Sequence, residues 1–280
     1  MKYGIGILAT IVLLLSGCNG NSDGEIKENV SQKGTESVNP KQQSEPEKEN
    51  TEENKNDKAE ETTAKPLEET PQTYQVNQTN WKIEPIDSDT KKVALLTIDD
   101  APDRYSLDMA KKLKELNASA IFFVNGHLLE SKEKQKVLKQ IYDMGFEIGN
   151  HTYSHAYLTD LDEEKQKEEI IKVNDMVENI TGERPRFFRA PFGQNTDYSK
   201  QIAKEENMQL MNWTMGYDWE KQYQNKDALV NIMLTSKELY PGANLLLHDR
   251  EWTKDALPEL VQGLRAKEYK LVNSREIKSL

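Results

Sequence analysis

Short apolar runs that alternate with helical patterns constrain the fold of this chain more than any other feature of its sequence. Seven such runs follow Tyr74, and most are separated by stretches in which charged residues interleave with Leu, Ile, Val or Met at helical spacing. Repeated alternation of strand and helix implies a parallel sheet. The predicted strands are Val93–Ile98, Ala120–Val124, Phe146–Ile148, Phe187–Arg189, Leu210–Thr214, Asn244–Leu247 and Tyr269–Val272.

The helical patterns complete the prediction of an α/β fold. Because seven apolar strands alternate with helices, we expect a distorted (β/α) barrel of about seven parallel strands, closed or nearly closed. An open doubly wound sheet is the alternative, but no Gly-rich phosphate fingerprint follows the first strand, which argues against a nucleotide-binding version. The predicted helices are Leu107–Leu116, Lys132–Met144, Glu163–Ile180, Tyr198–Asn207, Lys226–Leu239 and Thr253–Ala266.

The N-terminus has the pattern of a secretory signal. Lys2 precedes an apolar run from Ile5 to Leu15, which is too short to span a membrane comfortably. Leu-Ser-Gly before Cys18 resembles the bacterial lipobox, in which the cysteine is diacylated and becomes the new N-terminus. We therefore expect residues 1–17 to be a lipoprotein signal peptide and Cys18 to anchor the protein on the extracellular face of a bacterial cell membrane. The alternative is an idle cysteine in a discarded signal peptide.

The segment that follows is too polar to fold. Residues 19–73 hold no aromatic residue, 14 acidic residues and 7 basic ones, so they account for −7 of the formal net charge of −11. Such a composition cannot bury enough apolar surface to offset its ordering entropy. We predict a disordered tether over residues 18–73 and one catalytic domain over residues 74–280. That domain has no basic stripe, which argues against nucleic acid as a partner.

Two of the four histidines lie four residues apart, in the H-T-Y-S-H stretch from His151 to His155. Because this stretch follows a predicted strand, two imidazoles at that spacing could converge on one metal ion. A pair of surface histidines is the alternative interpretation. A zinc-peptidase helix is disfavoured, because its H-E-x-x-H pattern needs glutamate where this chain has Thr152.

Polar and ionisable residues follow four further predicted strands. In a (β/α) barrel the active site lies at the C-terminal ends of the strands, so these residues should gather at one rim. Each stretch by itself could be an ordinary loop, but their recurrence at one rim favours a functional site. The stretches are Thr97–Pro102, Arg189–Gly193, Trp213–Trp219 and Leu245–Asp249.

At these stretches the chain resembles the polysaccharide deacetylase family, the NodB-homology group of carbohydrate esterases, from about Lys92 to Ile277. The family pattern T-F-D-D-G-P corresponds to Thr97–Pro102, H-[ST]-x-x-H to His151–His155, and R-x-P-x-G to Arg189–Gly193. A leucine two residues before a histidine is matched by Leu246 and His248.

The sequence also departs from the family pattern. Ala101 replaces the usual glycine of the first motif, where an added methyl group could narrow the pocket. The fourth motif lacks its first aspartate and keeps only Asp218 and Trp219. Phe192 stands where the family often has tyrosine, so a hydroxyl contact to sugar would be lost.

The resemblance implies a divalent metal held by Asp100, His151 and His155, with Zn²⁺ as the first choice and Co²⁺, Ni²⁺ or Fe²⁺ as alternatives. It implies that Asp99 is the general base and that Arg189 keeps this carboxylate ionised and aimed. A merely structural ion pair is the alternative role for Arg189.

The resemblance assigns the remaining catalytic and substrate-binding roles as well. His248 would protonate the leaving amine, with Asp218 keeping it cationic, and the backbone N–H of Phe192 would bind the oxyanion. Leu246 and Trp219 would form a slot for the acetyl methyl group, with core packing as the alternative. We expect the fourth histidine, His127, to be a loop or capping residue. Further aromatics near the predicted rim, which could stack on sugar or simply pack, are left unassigned: Tyr157, Trp213, Tyr217 and Trp252.

The resulting hypothesis is a monomeric, metal-dependent hydrolase that removes acetyl groups from N-acetylglucosamine or N-acetylmuramic acid in peptidoglycan or another N-acetylated polysaccharide. The substrate expectation rests on location, since a lipid-anchored extracellular enzyme meets its own cell wall first. A catalytically weak or inactive wall-binding protein with the same fold is the alternative, weakly favoured by Ala101. A metallopeptidase is a third, disfavoured possibility.

Overall fold

The computed structural model of the protein describes residues 70–86 and 89–280. The predicted signal peptide over residues 1–17, Cys18 and nearly all of the predicted tether over 18–73 lie outside the described residues. Among the described helices, none combines the length and the apolar character that crossing a membrane requires.

The part of the chain that the structure describes contains nine β-strands and six α-helices. The strands are Tyr74–Val76 (β1), Ile83–Pro85 (β2), Val93–Ala101 (β3), Ala120–Val124 (β4), Glu147–Asn150 (β5), Phe187–Phe188 (β6), Gln209–Leu210 (β7), Ala243–His248 (β8) and Lys270–Leu271 (β9). The helices are Ser106–Glu115 (α1), Lys132–Asp143 (α2), Glu163–Thr181 (α3), Asp197–Glu205 (α4), Lys226–Thr235 (α5) and Glu251–Ala266 (α6).

Seven of the strands form one parallel sheet that curls into a half-barrel, as the sequence predicted. The strand order is β7-β6-β5-β4-β3-β8, and β9 pairs with Val93 and Ala94 at the start of β3. Each crossover runs through a helix or a helix-containing segment, which parallel pairing requires. The central strand β3 is buried along almost its whole length, so its C-terminal end carries side chains into the middle of the rim.

The predicted strand over Leu210–Thr214 is wrong in its extent. Strand β7 ends at Leu210, and the next residues change partners, because the N–H of Met211 donates to the carbonyl of Phe188 in β6 whereas the N–H of Thr214 donates to that of Asn244 in β8. An isolated parallel bridge between Met215 and Leu245 continues this contact. The segment therefore bridges the two edges of the sheet and brings the barrel close to closure.

A short antiparallel hairpin, β1 with β2, precedes the parallel sheet and was not predicted. Tyr74 and Ile83 are buried and pack in a cluster with inward residues of β3 and β4, such as Leu95 and Phe123. Each strand has only three residues, so alternation gives no usable sequence signal. The hairpin is tied to the end of the barrel opposite the rim by a hydrogen bond from Ile83 N–H to the carbonyl of Gly242, just before β8.

The main apolar core lies between the sheet and its surrounding helices. Outward residues of β3 and β4, such as Leu96 and Phe122, pack against buried faces of α1 and α6, including Leu113 and Leu260. Helices α2, α3 and α5 begin at the predicted residues, and a polar side chain caps each of them. For example, Asp162 accepts a hydrogen bond from the N–H of Lys165 at the start of α3.

Candidate active site

The adjacent carboxylates Asp99 and Asp100 lie at the C-terminal end of β3 and line the same cavity. Successive residues of a regular strand would point to opposite faces. Here Asp100 has a left-handed backbone with φ of 60°, and the pairing of β3 with β4 shifts register between Ile98 and Ala101. The strand has therefore turned at this point, which allows both carboxylates to reach one site.

The loop after these carboxylates is fixed by Asp249, a residue to which sequence reasoning assigned no role. Its buried carboxylate accepts hydrogen bonds from the N–H groups of Asp103, Tyr105 and Ser106 at 2.9, 2.6 and 2.8 Å, and from the Ser106 hydroxyl. Burial raises the pKa of Asp249, although these hydrogen bonds oppose the rise. The only sequence signal was its position directly after His248.

His151 and His155 converge with Asp100, and one possible ligand atom from each of the three lies within 4.8 Å of the others. The chain reverses between the histidines because Thr152 and His155 have φ of 67° and 61°. His151 Nδ1 lies 2.8 Å from the carbonyl oxygen of Arg189, so its N–H donates there and the lone pair of Nε2 is left for the cavity. Burial, with the neighbouring His151 ring, lowers the pKa of His155 and favours its neutral form.

This donor set fits a divalent metal. One carboxylate and two imidazoles are common ligands of Zn²⁺ and its neighbours in the first transition row. The second-sphere bond to the Arg189 carbonyl fixes the tautomer that ligation by Nε2 requires. Three protein ligands leave positions open for water and substrate, as in catalytic rather than structural metal sites.

Arg250 contacts Asp100, one of the three candidate ligands, although no sequence motif includes this arginine. Its Nη2 lies 2.8 Å from Asp100 Oδ2, and the guanidinium lines the cavity. Burial alone would raise the pKa of Asp100, but electrostatic interactions with His248, His151, His155 and Arg250 outweigh it and lower that pKa. Asp100 is therefore held as a carboxylate. An arginine after a strand is usually solvent-exposed, so its sequence position alone could not reveal this contact.

Arg189 forms a fully buried ion pair with Asp99 behind the cavity. Its Nη1 lies 2.6 Å from Asp99 Oδ1 and 2.9 Å from Thr97 Oγ1. Its Nε and Nη2 donate to the carbonyls of Met211 and Asn212, both at 3.0 Å. Burial lowers the pKa of Arg189 and Asp99 opposes this effect, but a guanidinium stays protonated in proteins. All three nitrogen atoms of the guanidinium are thus hydrogen-bonded, and the Asp99 carboxylate is held in one orientation.

His248 and Asp218 form a second polar pair on the other side of the cavity. His248 Nδ1 lies 2.7 Å from Asp218 Oδ1, and the backbone N–H of His248 donates to Asp218 Oδ2 at 2.6 Å. The hydroxyl of Thr253 donates to the same Oδ2 and the indole of Trp252 to the Asp218 carbonyl, both at 2.8 Å. Burial would lower the pKa of His248, but the charge and hydrogen bond of Asp218 outweigh it and raise that pKa.

Apolar side chains complete the cavity, whose volume is about 370 Å³. Leu246 is buried, whereas Trp219 is 46% exposed at the mouth. Gly216 packs closely against both residues, because a Cβ there would lie 2.7 Å from the Trp219 ring and 2.6 Å from the Leu246 carbonyl oxygen. On the opposite wall, Phe192 contacts the ring of His155 edge-on, with centroids 4.8 Å apart.

Two of the departures from the family pattern, Ala101 and the shortened fourth motif, do not obstruct the cavity. Ala101 lies within β3 and is not among the residues with positive φ, and its methyl group is buried in the main core rather than among the cavity-lining residues. The shortened fourth motif still places Asp218 on His248. His127 lies outside the cavity, where its Nδ1 is 2.8 Å from the carbonyl of Tyr153.

The structure therefore brings together all the described candidate residues. Arg189 and Asp218 stand behind the cavity, while Cys18 lies outside the described residues. The candidates that line the cavity are Asp99, Asp100, His151, His155, Phe192, Trp219, Leu246 and His248, together with the unassigned Trp213 and Arg250.

Comparison with known proteins agrees with this geometry. The family model for polysaccharide deacetylase matches residues 87–211. A peptidoglycan-N-acetylglucosamine deacetylase of Bacillus cereus is 31% identical over 190 residues, which span 65% of this chain and 66% of that protein. The peptidoglycan-N-acetylmuramic acid deacetylase PdaA of Bacillus subtilis is 30% identical over 185 residues, which span 64% of this chain and 68% of the relative.

Among solved structures, a CE4 family pseudoenzyme from Bacillus anthracis superposes with a TM-score of 0.61 at 30% identity, covering 68% of this chain and 66% of that one. The matches thus span about two thirds of each of these proteins rather than their whole length. On sequence similarity, fold and site together, the chain belongs to the polysaccharide deacetylase family.

Proposed function

We propose that this protein is a metal-dependent N-deacetylase that hydrolyses the acetamide of N-acetylated amino sugars in peptidoglycan. One observation carries the proposal: the convergent ligand atoms of Asp100, His151 and His155 lie beside an ion pair of Asp99 with Arg189 that is buried and oriented. A carboxylate held next to a metal site in this way is suited to removing a proton from water.

Asp100, His151 and His155 would hold the metal, with Zn²⁺ as our first choice and Co²⁺, Ni²⁺ or Fe²⁺ as alternatives. When bound, such an ion supplies Lewis acidity, which lowers the pKa of water and polarises the acetamide carbonyl. Asp100 contributes as a carboxylate, and its contact with Arg250 limits how it can turn.

In this mechanism Asp99 is the general base. It accepts a proton from the attacking water while the water oxygen adds to the acetamide carbon. Arg189 holds the Asp99 carboxylate in its orientation, because the guanidinium is itself fixed by the carbonyls of Met211 and Asn212. General-base catalysis by one positioned carboxylate contributes about 10²–10⁴-fold in rate.

The oxyanion that develops on the acetamide needs hydrogen-bond donors. We assign one to the backbone N–H of Phe192. Pro191 has no N–H to offer and fixes its own φ, so it positions the amide that follows it. Phe192 itself has φ of 58°, an uncommon conformation for a residue with a side chain, and such outliers cluster at functional sites.

His248 is the general acid in this mechanism. As the carbon–nitrogen bond breaks, the leaving amine takes a proton from His248, and acetate is released. Asp218 keeps the imidazole cationic until that step, in agreement with the raised pKa of His248. The acetyl methyl group would lie in the slot between Leu246 and Trp219, which Gly216 keeps narrow.

The choice of peptidoglycan is supported by the relatives, which are named deacetylases of peptidoglycan N-acetylglucosamine and of peptidoglycan N-acetylmuramic acid. We propose that either amino sugar is the substrate. We further propose that Cys18 is lipidated and tethers the domain to the extracellular face of the cell membrane, on the strength of the Leu-Ser-Gly-Cys pattern. One chain supplies every residue of the proposed site, so we propose that the enzyme works as a monomer.

A non-catalytic wall-binding protein is the second candidate, and it is favoured by one observation, the similarity to a CE4 family pseudoenzyme. The complete set of proposed base, ligands and acid in this chain argues against it. The two candidates differ in turnover, which can be measured directly.

The test is acetate release from acetylated chitooligosaccharides and from purified peptidoglycan. Protein stripped with a chelator is compared with the same protein after addition of one equivalent of Zn²⁺, Co²⁺, Ni²⁺ or Fe²⁺. We expect acetate only from the loaded protein. Release that persists after complete stripping, or saturable binding of polysaccharide with no acetate under any metal, would contradict the proposal.

A further inference from the structure

Large apolar side chains that remain exposed are concentrated at the mouth of the proposed active site. Among the described residues five such side chains are exposed, and three of them belong to the site or border it. Clusters of exposed apolar surface mark binding sites more often than scattered single residues do. The three are Tyr157, Phe192 and Trp219, and the other two are Ile86 and Leu280.

Tyr157 and Phe192 form a stacked aromatic pair in which one ring backs the other. Their ring centroids lie 3.8 Å apart with an angle of 11° between the planes, so the two rings are stacked. Tyr157 is 43% exposed and Phe192 is 45% exposed, so both rings remain open to solvent although each covers one face of the other. We call this pair the aromatic ledge. Aromatic residues that serve the core are mostly buried, which these two are not.

The aromatic ledge continues directly from the catalytic cavity. Phe192 lines the cavity and meets the ring of the proposed metal ligand His155 edge-on, at a centroid distance of 4.8 Å. Tyr157 extends the same surface away from the cavity. A ligand that extends from the cavity on the His155 side would therefore meet this surface.

The backbone holds the ledge in place. Phe192 and His155 both have left-handed backbones, with φ of 58° and 61°. Such conformations are unfavourable for residues with side chains and persist only where the surroundings enforce them. The Phe192 ring is thus presented to solvent by a locally fixed turn that includes Pro191, rather than by a freely moving loop.

We propose that the aromatic ledge binds the pyranose ring next to the residue that is deacetylated. This inference rests on the proposed function. A pyranose offers a face of C–H groups that packs on an aromatic ring, while its rim of hydroxyl groups stays in water. The outer face of Tyr157, backed by Phe192 and beside the cavity, suits that shape, and it gives the enzyme a preference for polymer over monomer.

The experiment compares substrates of different length. Acetate release is measured on N-acetylglucosamine oligomers from one to six residues with metal-loaded wild type, Tyr157→Ala and Tyr157→Phe. We expect the ratio of kcat/KM on the longest to kcat/KM on the shortest oligomer to fall about tenfold in Tyr157→Ala, equivalent to about 1.4 kcal/mol. Tyr157→Phe keeps the ring and should keep most of that ratio.

A matched control is Tyr240→Ala, which removes another partly exposed tyrosine, before the start of β8 and so at the opposite end of that strand from the site. It should leave the ratio at the wild-type value. A Tyr157→Ala protein whose ratio is unchanged, or whose kcat/KM falls equally on oligomers of all lengths, would contradict the proposal that the aromatic ledge binds a neighbouring pyranose.

Direct binding separates this inference from the proposed function. Isothermal titration of the six-residue oligomer into metal-free protein needs no turnover, and Tyr157→Ala should weaken that binding by a similar factor. If wild type releases no acetate but Tyr157→Ala still weakens binding of the oligomer, the proposed deacetylase function is contradicted, whereas sugar binding by the aromatic ledge is supported. If wild type releases acetate but Tyr157→Ala changes neither oligomer binding nor the ratio of kcat/KM values, only the proposal for the aromatic ledge is contradicted.

Discussion

Arg189 reaches across the interior of the barrel from the end of β6 to Asp99 at the end of β3, with 2.6 Å between its Nη1 and the Oδ1 of Asp99. The arginine is fully buried, and its guanidinium also lies against the face of Phe123, with 4.2 Å from its Cζ to the ring centroid. A charge in such a place is costly unless it is paired. The pair therefore couples the stability of the barrel to the orientation of the proposed base.

Replacing Arg189 by methionine should damage stability as well as activity. The change leaves the Asp99 carboxylate buried without its partner, and breaking a buried pair in this way costs about 3–5 kcal/mol. Chemical denaturation measures the loss in free energy of unfolding. The control is Arg184→Met, since Arg184 forms its ion pairs at the surface, where such pairs contribute about 0–1 kcal/mol. Equal losses in the two variants would contradict the importance of the buried pair.

Removal of either candidate histidine ligand should remove the metal. His151→Ala and His155→Ala each leave two of three protein ligands, so bound metal and acetate release should both be lost. His127→Ala is the matched control, because its ring is exposed outside the cavity and its hydrogen bond among the described residues goes to the Tyr153 carbonyl. Elemental analysis after dialysis gives the metal content. Stoichiometric metal in His151→Ala or His155→Ala would disprove the assigned ligand set.

The pair of His248 with Asp218 predicts a pH dependence. The folded-state pKa of His248 lies above its ordinary value of 6.5, because Asp218 outweighs the effect of burial. The stabilisation from the pair is therefore fully present below about pH 6.5 and is lost as pH rises through the raised pKa. Since the proposed general acid must be protonated, kcat should fall at high pH as His248 loses its proton, and this fall is the alkaline limb of the pH profile.

Asp218→Asn tests that dependence. The neutral amide removes the charge that raises the pKa of His248, so the alkaline limb of kcat should move to lower pH. NMR titration of the His248 ring, compared in wild type and variant, measures the pKa shift without turnover. An alkaline limb and a ring titration that both stay at the wild-type pH would show that Asp218 does not set the charge of His248.

Periodicity predicted most of the fold because the parallel strands are apolar throughout and the helices are strongly patterned. Strand β4 was predicted with its correct ends, and Glu163 was correctly predicted as the first residue of α3. The predicted strand over Leu210–Thr214 was too long because the carbonyls of Met211 and Asn212 bind the Arg189 guanidinium, a tertiary contact that no local pattern encodes.

The candidate site was predicted from motifs rather than from geometry, and the residues that motifs do not contain were missed. Asp249 and Arg250 follow His248 directly, yet their partners lie about 150 positions earlier in the sequence, at Ser106 and Asp100. Such contacts depend on the pairing of β3 with β8. Likewise, the stacking of Tyr157 on Phe192 is a tertiary contact that the sequence position of Tyr157 does not indicate.

The distinction between base and ligand within Asp99 and Asp100 is central to this account. Asp99 bonds to Arg189, whereas Asp100 lies within reach of both candidate histidine ligands. Asp99→Asn keeps the shape of the side chain and the metal site but removes the proton acceptor, at a cost of about 10²–10⁴-fold in rate. Asp100→Asn should weaken metal binding, and excess metal should partly restore its activity.

The most direct measurement is therefore metal content and acetate release, determined side by side for wild type, Asp99→Asn and Asp100→Asn at matched concentrations of Zn²⁺. The account predicts a metal-loaded but nearly inactive Asp99→Asn, and an Asp100→Asn that has lost metal and recovers in part when more is added. An Asp99→Asn protein without metal beside an Asp100→Asn protein with a full complement would show that the two roles are reversed and would contradict the mechanism.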